Sequence, residues 1–248
     1  MRATEFEFRF RFFIIVAIFA GGFWCYALDH TSVSVMLARW LTNHPIALSV
    51  ASDRHAVQAV LAVGVVLAVL AAGVRTWAAA YLKSEVVHDW ELHAEGLVAD
   101  GPYRYVRNPL YLGGVLFGVG FALAASRLGF VVIVGGLTLF YYRLIAREER
   151  LLSETQGESY RQFLRAVPRL IPSFRPRVAA ASLVPQWGQA VFGETFMWFF
   201  AVAGACFAAT LSQRLFVTLT GAGVAASMFA KAVLNWRRRA NAPPSATP

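Results

Sequence analysis

Two segments of the chain combine charged and aromatic side chains with glycine and proline, at spacings that could bind a charged small molecule. The first runs from Glu95 to Gly113. The second runs from Arg147 to Pro172 and places two carboxylates directly after a long apolar stretch. Carboxylates at the edge of a membrane are costly unless they are paired or used in function. These two segments are therefore the candidates for chemistry.

The first segment predicts a helix start that could bind an anion. Asn108 suits the N-cap position and Pro109 the first helical position. The amide donors of a first helical turn, together with Arg104 and Arg107, suit a carboxylate or phosphate group. The alternative is that these arginines, with the tyrosines beside them, only anchor the chain at a membrane interface. Those tyrosines are Tyr103, Tyr105 and Tyr111.

The second segment offers a cation-binding carboxylate. Glu148 and Glu149 stand in an otherwise arginine-rich stretch, so either could bind a cationic group of a ligand. The alternative is an ion pair with Arg147 or Arg150, which is more plausible for Glu149.

The elements that position these segments are predicted to be membrane helices. Of the 248 residues, 58% are apolar and only 15% are charged, and the mean hydropathy is +0.53. The apolar residues come in long blocks, as in helices surrounded by lipid. The net charge of +9 comes largely from arginines that flank these blocks. This placement argues against a nucleic-acid partner, and we predict no metal site.

Six apolar blocks predict an all-α, polytopic protein with about six transmembrane helices. If all six cross, the main arginine-rich groups fall on one side, which must then be the cytoplasm. Both termini and both candidate segments are predicted to lie there. The blocks are about Phe12–Leu28, Ala56–Leu82, Leu110–Ala125, Leu128–Ile145, Thr195–Leu211 and Leu215–Leu234.

Taken together, the two segments resemble a known family. The pattern Leu97-Val-x-x-Gly-Pro-Tyr-Arg-x-x-Arg-Asn-Pro-x-Tyr-x-Gly113 is followed by Glu148-Glu149, Gly157, Tyr160 and Val167-Pro-Arg-Leu-Ile-Pro172. It is similar to the isoprenylcysteine carboxyl methyltransferases and to the broader group that includes phospholipid N-methyltransferases. The resemblance runs from Arg75 to Pro172.

The resemblance implies an S-adenosylmethionine site without a Rossmann domain, enclosed by the cytoplasmic ends of the third and fourth predicted helices. Glu148 would bind the α-ammonium group of the cofactor. We suggest Arg104 or Arg107 for its carboxylate and add Arg147 as a third candidate catalytic arginine. The implied cofactor-binding residues are His88, Glu95, Gly96, Leu97, Val98, Tyr103, Asn108, Pro109, Leu110, Tyr111 and Glu148.

This sequence departs from the family pattern at three positions. Asn108 and Glu95 stand where the family can have histidine, and Leu144 replaces an arginine one turn before the glutamate pair. The implied acceptor is a lipidic or apolar small molecule that enters from the bilayer, with a carboxyl, thiol, amine or phenol-like oxygen as the methylated group. A thiol or amine must lose a proton first, and His88 and His93 are the histidines near the motifs.

Two other functions remain open at this stage. Membrane reductases of the sterol type share a similar late pattern and would use NADPH. A non-catalytic protein could instead use the basic belt to bind anionic lipid headgroups.

The apolar blocks, the composition of the tail and the resemblance together predict how the chain is divided. We expect N-terminal transmembrane helices in 1–74, a methyltransferase core with a cytoplasmic cofactor site in 75–177, a C-terminal transmembrane hairpin in 178–240 and a disordered tail in 241–248. In the hairpin, Trp187, Gln189 and Trp198 could form a lid or an acceptor wall, although packing or a dimer contact is the simpler interpretation. The oligomeric state is left open.

Overall fold

The computed structural model describes residues 2–82 and 99–240, the last eleven of these by their backbone alone. Within these ranges the chain is helical and contains no β-strand beyond one isolated antiparallel bridge between Ser32 and Ser126. The all-α prediction is therefore confirmed for the described part of the chain. The predicted disordered tail, 241–248, lies outside it.

Each of the six predicted apolar blocks coincides with a helix, but the fourth helix of that set continues to Ala166, and three shorter helices were not predicted. Two short 3-10 turns, Cys25–Ala27 and Gly101–Arg104, lie between them. The α-helices are α1 Glu5–Arg9, α2 Arg11–Trp24, α3 Val33–Thr42, α4 Ala51–Ala80, α5 Pro109–Ala122, α6 Arg127–Ala166, α7 Trp187–Gly193, α8 Thr195–Thr210 and α9 Gln213–Ala240.

Fewer helices in the described part of the chain qualify as membrane crossings by length and composition than the six that the sequence predicts. In the described part of the chain, α4 and α6 are long and apolar enough to cross a membrane, and α7 with α8 forms a third candidate that is bent by 57°. Helices α2 and α5 have 14 residues each, or about 21 Å at 1.5 Å per residue. That falls short of a ~30 Å hydrocarbon layer. The long apolar helices indicate an integral membrane protein, but the six predicted crossings are not confirmed.

Helices α4 and α5 approach each other closely where both carry glycine. A Cβ atom on Gly64 would lie 2.5 Å from the carbonyl oxygen of Gly120, and the reverse substitution gives the same distance. Side chains at these positions would force the helix axes apart. Close contact along α4 holds α5 in a fixed position, which matters because α5 begins within the first motif segment.

Helix α6 contains a sharp kink at its far end. Gly157 has φ of 62° and ψ of −134°, a combination that only glycine adopts readily. The kink turns the last two turns of α6, so that Tyr160, Phe163 and Val167 pack together as a small apolar cluster. The chain after α6 is thereby directed back towards the start of α5.

Candidate active site

A buried hydrogen bond joins the two motif segments at the start of α5. The phenol of Tyr111, in the first turn of α5, donates to Glu148 Oε1 on α6 over 2.5 Å. The bond fixes the orientation of the Glu148 carboxylate and uses one lone pair of one carboxylate oxygen. A carboxylate can accept further hydrogen bonds besides this one, so an ammonium group of a ligand could also bind here. The Arg11 guanidinium also acts on this carboxylate electrostatically.

The neighbouring carboxylate, Glu149, has a structural role. Only 5% of Glu149 is exposed. Its two oxygens accept from Arg169, with Nη2–Oε2 at 2.5 Å and Nε–Oε1 at 3.2 Å. Arg107 Nε lies 3.4 Å from Oε1. A buried carboxylate with two arginine partners is part of the scaffold, since such a group needs compensation to stay charged.

The partners of Glu149 differ from those that the sequence suggested. Arg150 pairs instead with Glu154, one turn further along α6. Arg147 turns away from the glutamates: its Nη1 donates to the Ala3 carbonyl over 3.4 Å and its guanidinium lies over the Phe8 ring. The sequence missed the pairing because Arg169 reaches Glu149 only after the chain has reversed at the kink.

Backbone hydrogen bonds also connect the two segments. The Arg107 amide donates to the Pro168 carbonyl over 2.9 Å. The Ser173 amide donates to Tyr105 over 2.9 Å, and the Arg177 amide donates to Arg104 over 2.8 Å. Three backbone hydrogen bonds therefore hold residues 104–107 against residues 168–177, that is, against the end of the second segment and the residues that follow it.

Arg104 and Arg107 are both held against this second segment. Arg104 Nε donates to the Val178 carbonyl over 3.0 Å. Arg107 Nη1 donates to the Leu164 carbonyl over 2.7 Å. The contacts fix where the two guanidinium groups lie, and binding of a cofactor carboxylate by either one stays a prediction.

Helix α5 begins at Pro109 with Asn108 at the N-cap position, as the sequence predicts. Asn108 does not cap the helix with its side chain in the part of the chain that the structure describes. Its Nδ2 instead donates to the Arg169 carbonyl over 3.1 Å and to Glu149 over 3.4 Å. The first-turn amides of α5 are thus not closed off by this side chain and can serve an anionic or polar ligand group.

Tyr103 lies in the 3-10 turn that precedes α5 and is buried. Burial raises the pKa of its phenol well above the ordinary value, and the nearby Glu148 carboxylate adds to the effect. The phenol therefore stays neutral and acts as a hydrogen-bond donor or an apolar wall, never as a base, at physiological pH.

Five of the predicted cofactor-binding residues cannot be placed in this geometry. His88, Glu95, Gly96, Leu97 and Val98 lie outside the described residues, as does His93. The predicted residues that the structure does bring together are Tyr103, Asn108, Pro109, Leu110, Tyr111 and Glu148, around the first turn of α5.

One buried ion pair near the site was not predicted. Glu194, between α7 and α8, is 1% exposed and binds Arg75 of α4 with both carboxylate oxygens, at 2.7 and 2.9 Å. The sequence does contain a signal for it. Glu194 is the only acidic residue after Glu158, and a lone carboxylate beside an apolar block requires a partner.

Comparison with known proteins identifies a family whose members are similar in the part of the chain that contains this site. Residues 59–159 match the phospholipid methyltransferase family. The matched range contains both residues of the Tyr111–Glu148 hydrogen bond and ends before Arg169 and Glu194. The sequence-based resemblance to membrane methyltransferases is thereby confirmed.

Two relatives of this chain are also named as methyltransferases. The chain is 30% identical over 112 residues to methanethiol S-methyltransferase 1 of Bradyrhizobium diazoefficiens, covering 39% of this chain and 38% of that protein. It is 36% identical over 80 residues to the protein-S-isoprenylcysteine O-methyltransferase of Schizosaccharomyces pombe, covering 31% of this chain and 33% of that protein. The matches thus span little more than a third of each relative. No solved structure matches the chain significantly.

Proposed function

We propose that the protein is an integral membrane methyltransferase that uses S-adenosylmethionine and acts on a lipidic or apolar small acceptor. The observation that carries the proposal is the Tyr111–Glu148 hydrogen bond at the open first turn of α5. Both residues lie within the segment that matches the phospholipid methyltransferase family.

The residues present fit the charged end of this cofactor. The carboxylate of Glu148, oriented by Tyr111, suits the α-ammonium group. The first-turn amides of α5, with Arg104 or Arg107, suit the α-carboxylate. Arg147, which precedes Glu148 on α6, stays a proposed catalytic residue, although its contacts in the structure are with Ala3 and Phe8. His88 and Glu95 to Val98, which lie outside the described residues, are proposed to bind the adenosine part of the cofactor.

The cofactor supplies an already activated methyl group, so the protein's contribution is alignment and exclusion of water. Glu148 and Tyr111 hold one ligand group at a fixed position. The buried ion pairs of Glu149 and the backbone hydrogen bonds keep residues 104–107 against residues 168–177. These residues then form a fixed surface beside the proposed cofactor position.

Among the acceptor groups, we place the thiol of an otherwise uncharged apolar molecule ahead of a carboxylate. Its proton must leave before the methyl group is transferred, and His88 and His93 are the candidate bases that the sequence offers near the motifs. Leu144 stands where the isoprenylcysteine enzymes have an arginine, and it is fully buried in the cluster that contains Ala3 and Phe8. It offers no positive charge for an acceptor carboxylate. Of the two relatives, the one named for methanethiol agrees with this order, whereas the isoprenylcysteine O-methyltransferase is named for a different acceptor. An amine or a phenol-like oxygen remains a further candidate class.

We further propose that the α5 start and the far end of α6 face the cytoplasm, as the arginine distribution predicts. The acceptor then enters from the bilayer, and S-adenosylmethionine arrives from the aqueous side.

The proposal is tested by cofactor binding to the detergent-purified full chain, titrated with S-adenosylmethionine and NADPH in parallel. We expect S-adenosylmethionine to bind and Glu148→Gln to weaken it at least about tenfold, since a charged hydrogen-bond partner is worth roughly 1.5–3 kcal/mol. Glu154→Gln, which neutralises an exposed glutamate on the same helix, is the matched control. Binding of NADPH alone would replace the proposal with a reductase function.

A further inference from the structure

The pair of Arg75 and Glu194 connects the C-terminal hairpin to the first turn of α5. Glu194 lies between α7 and α8, outside the segment that matches the methyltransferase family. Arg75 binds it through Nε and Nη2 and keeps Nη1 for the Leu110 carbonyl, at 3.1 Å. One guanidinium thus bridges three elements: α4, α5 and the α7–α8 junction.

Arg75 holds α5 on both sides of Tyr111. The Leu110 carbonyl precedes Tyr111, and Gly113 follows it by two residues. A Cβ atom on Gly113 would overlap Cγ of Arg75, so the arginine stem lies directly on the α5 backbone there. The orientation of this first turn, and with it the direction of the Tyr111 phenol, depends on where Arg75 is held.

Glu194 determines where Arg75 is held. The planar fork of arginine binds a carboxylate in one fixed geometry, and both oxygens of Glu194 take part. Without Glu194, Arg75 would keep one hydrogen bond to a carbonyl and could rotate away from α5.

Attachment of the hairpin to α4 does not depend on this pair. Trp198 Nε1 donates to Thr76 Oγ1 over 3.1 Å. The Gln186 amide donates to the Ala80 carbonyl over 2.7 Å. Burying an ion pair is often no more stabilising than packing apolar residues in its place. Because these other contacts attach the hairpin to α4, we expect the Arg75–Glu194 pair to have a role other than attachment.

We propose that Glu194 is a positioning residue, which acts through Arg75 to hold the first turn of α5 so that Tyr111 meets Glu148. The C-terminal hairpin is then part of the cofactor site's framework. The inference rests on the proposed function for its consequence in cofactor binding, but its structural content can be measured separately.

The first experiment measures S-adenosylmethionine affinity in the full-length purified protein. Glu194→Gln and Arg75→Lys are each expected to weaken binding about tenfold. Neither variant keeps both hydrogen bonds between residues 75 and 194 together with the hydrogen bond to the Leu110 carbonyl. Gln58→Ala, which removes the hydrogen bond from Gln58 to the Ala209 carbonyl between α4 and α8 but leaves Arg75 and Glu194 in place, is expected to bind as the wild type does. Unchanged affinity in Glu194→Gln while the wild type binds overturns the inference and leaves the proposed function standing.

The second experiment decides the inference even if the wild type binds no S-adenosylmethionine. Thermal unfolding is measured for Glu194→Gln, for Tyr111→Phe and for the double variant. If Glu194 acts through the first turn of α5, the two melting-temperature shifts are not additive, since Tyr111 has already lost its alignment in Glu194→Gln. Additive shifts overturn the inference, whatever the cofactor.

Discussion

Tyr111 and Glu148 approach each other from two helices, and the hydrogen bond between them forms only if both helices are correctly placed. The bond directs the Glu148 carboxylate and is the most specific feature of the site. Glu149, one residue further, makes a different set of contacts and belongs to the scaffold. Two adjacent glutamates thus have separate roles because successive residues of a helix point in different directions.

The Tyr111 hydroxyl can be tested alone. Tyr111→Phe removes the donor to Glu148 but keeps the ring, so we expect the protein to fold and to bind S-adenosylmethionine several-fold more weakly, by about 1 kcal/mol. Tyr26→Phe removes a comparable hydroxyl, which donates to the Ala124 carbonyl at the other end of the molecule. It should leave binding unchanged, and a similar loss in both variants would contradict a specific role for Tyr111.

Removing Glu149 should affect stability more than removing an exposed acid. Glu149→Ala leaves Arg169 and Arg107 without their shared carboxylate, and breaking a buried pair costs roughly 3–5 kcal/mol. Glu154→Ala breaks only an exposed pair with Arg150, where the cost is about 0–1 kcal/mol. Thermal unfolding of the two variants in the same detergent measures the difference. Equal melting temperatures would mean that Glu149 is not a scaffold residue.

At the scale of elements, the kink in α6 brings the second motif segment back to the first. After the kink, Tyr160 and Phe163 pack with Val167 and Val178 in a small apolar cluster, and Arg169 reaches Glu149. Helix α5 is held in turn by its close contact with α4 at Gly64 and Gly120. The site therefore depends on two unusual backbone features, one kink and one close helix contact.

Gly157→Ala should destabilise the protein although open space surrounds the position. No atom lies within 4 Å of a Cβ there, but φ is +62°, so the strain is conformational and of the order of 1–3 kcal/mol. Gly135→Ala is the matched control, because that residue also has open space but lies in regular helix. There alanine is expected to be neutral or stabilising. A neutral Gly157→Ala variant in thermal unfolding would show that the kink is not required.

Local signals predicted several elements from the sequence alone. Asn108-Pro109 predicted the start of α5, where Asn108 stands at the N-cap position and Pro109 is the first helical residue. The partners of Glu149 and the Arg75–Glu194 pair could not be predicted. They join residues 20 and 119 positions apart in the chain, and only the tertiary arrangement decides such contacts. Likewise, apolar composition predicts a helix but does not fix whether its length suffices to cross the bilayer.

For the molecule as a whole, the structure has two distinct ends. The Tyr111–Glu148 bond lies at one end, and the Asp29–Arg127 ion pair lies at the other, where α6 begins. Helices α4 and α6 run between these ends and are the two long apolar helices of the described chain. The positive charge of the sequence is concentrated towards the site end, which is why we expect that end in the cytoplasm.

The orientation can be measured with single cysteines. In a variant without Cys25 and Cys206, His55→Cys is at the start of α4 and Glu154→Cys is on the far part of α6, both at exposed positions. The reagent is a membrane-impermeant maleimide, added to cells in which the membrane that contains the protein is intact and accessible from outside. It should label position 55 in these cells, and position 154 only after that membrane is disrupted. The reverse pattern would place the site on the outer face and contradict the predicted orientation.

The central claim is methyl transfer to an apolar acceptor, and the most direct measurement is incorporation of a labelled methyl group. Membranes containing the full chain are incubated with methyl-labelled S-adenosylmethionine and a panel of apolar thiols, carboxylic acids and amines, and label is counted in the organic extract. The account predicts incorporation by the wild type with the thiols, and its loss in Glu148→Gln but not in Glu154→Gln. Incorporation that is equal in Glu148→Gln, or absent for every acceptor class while the cofactor binds, would contradict it.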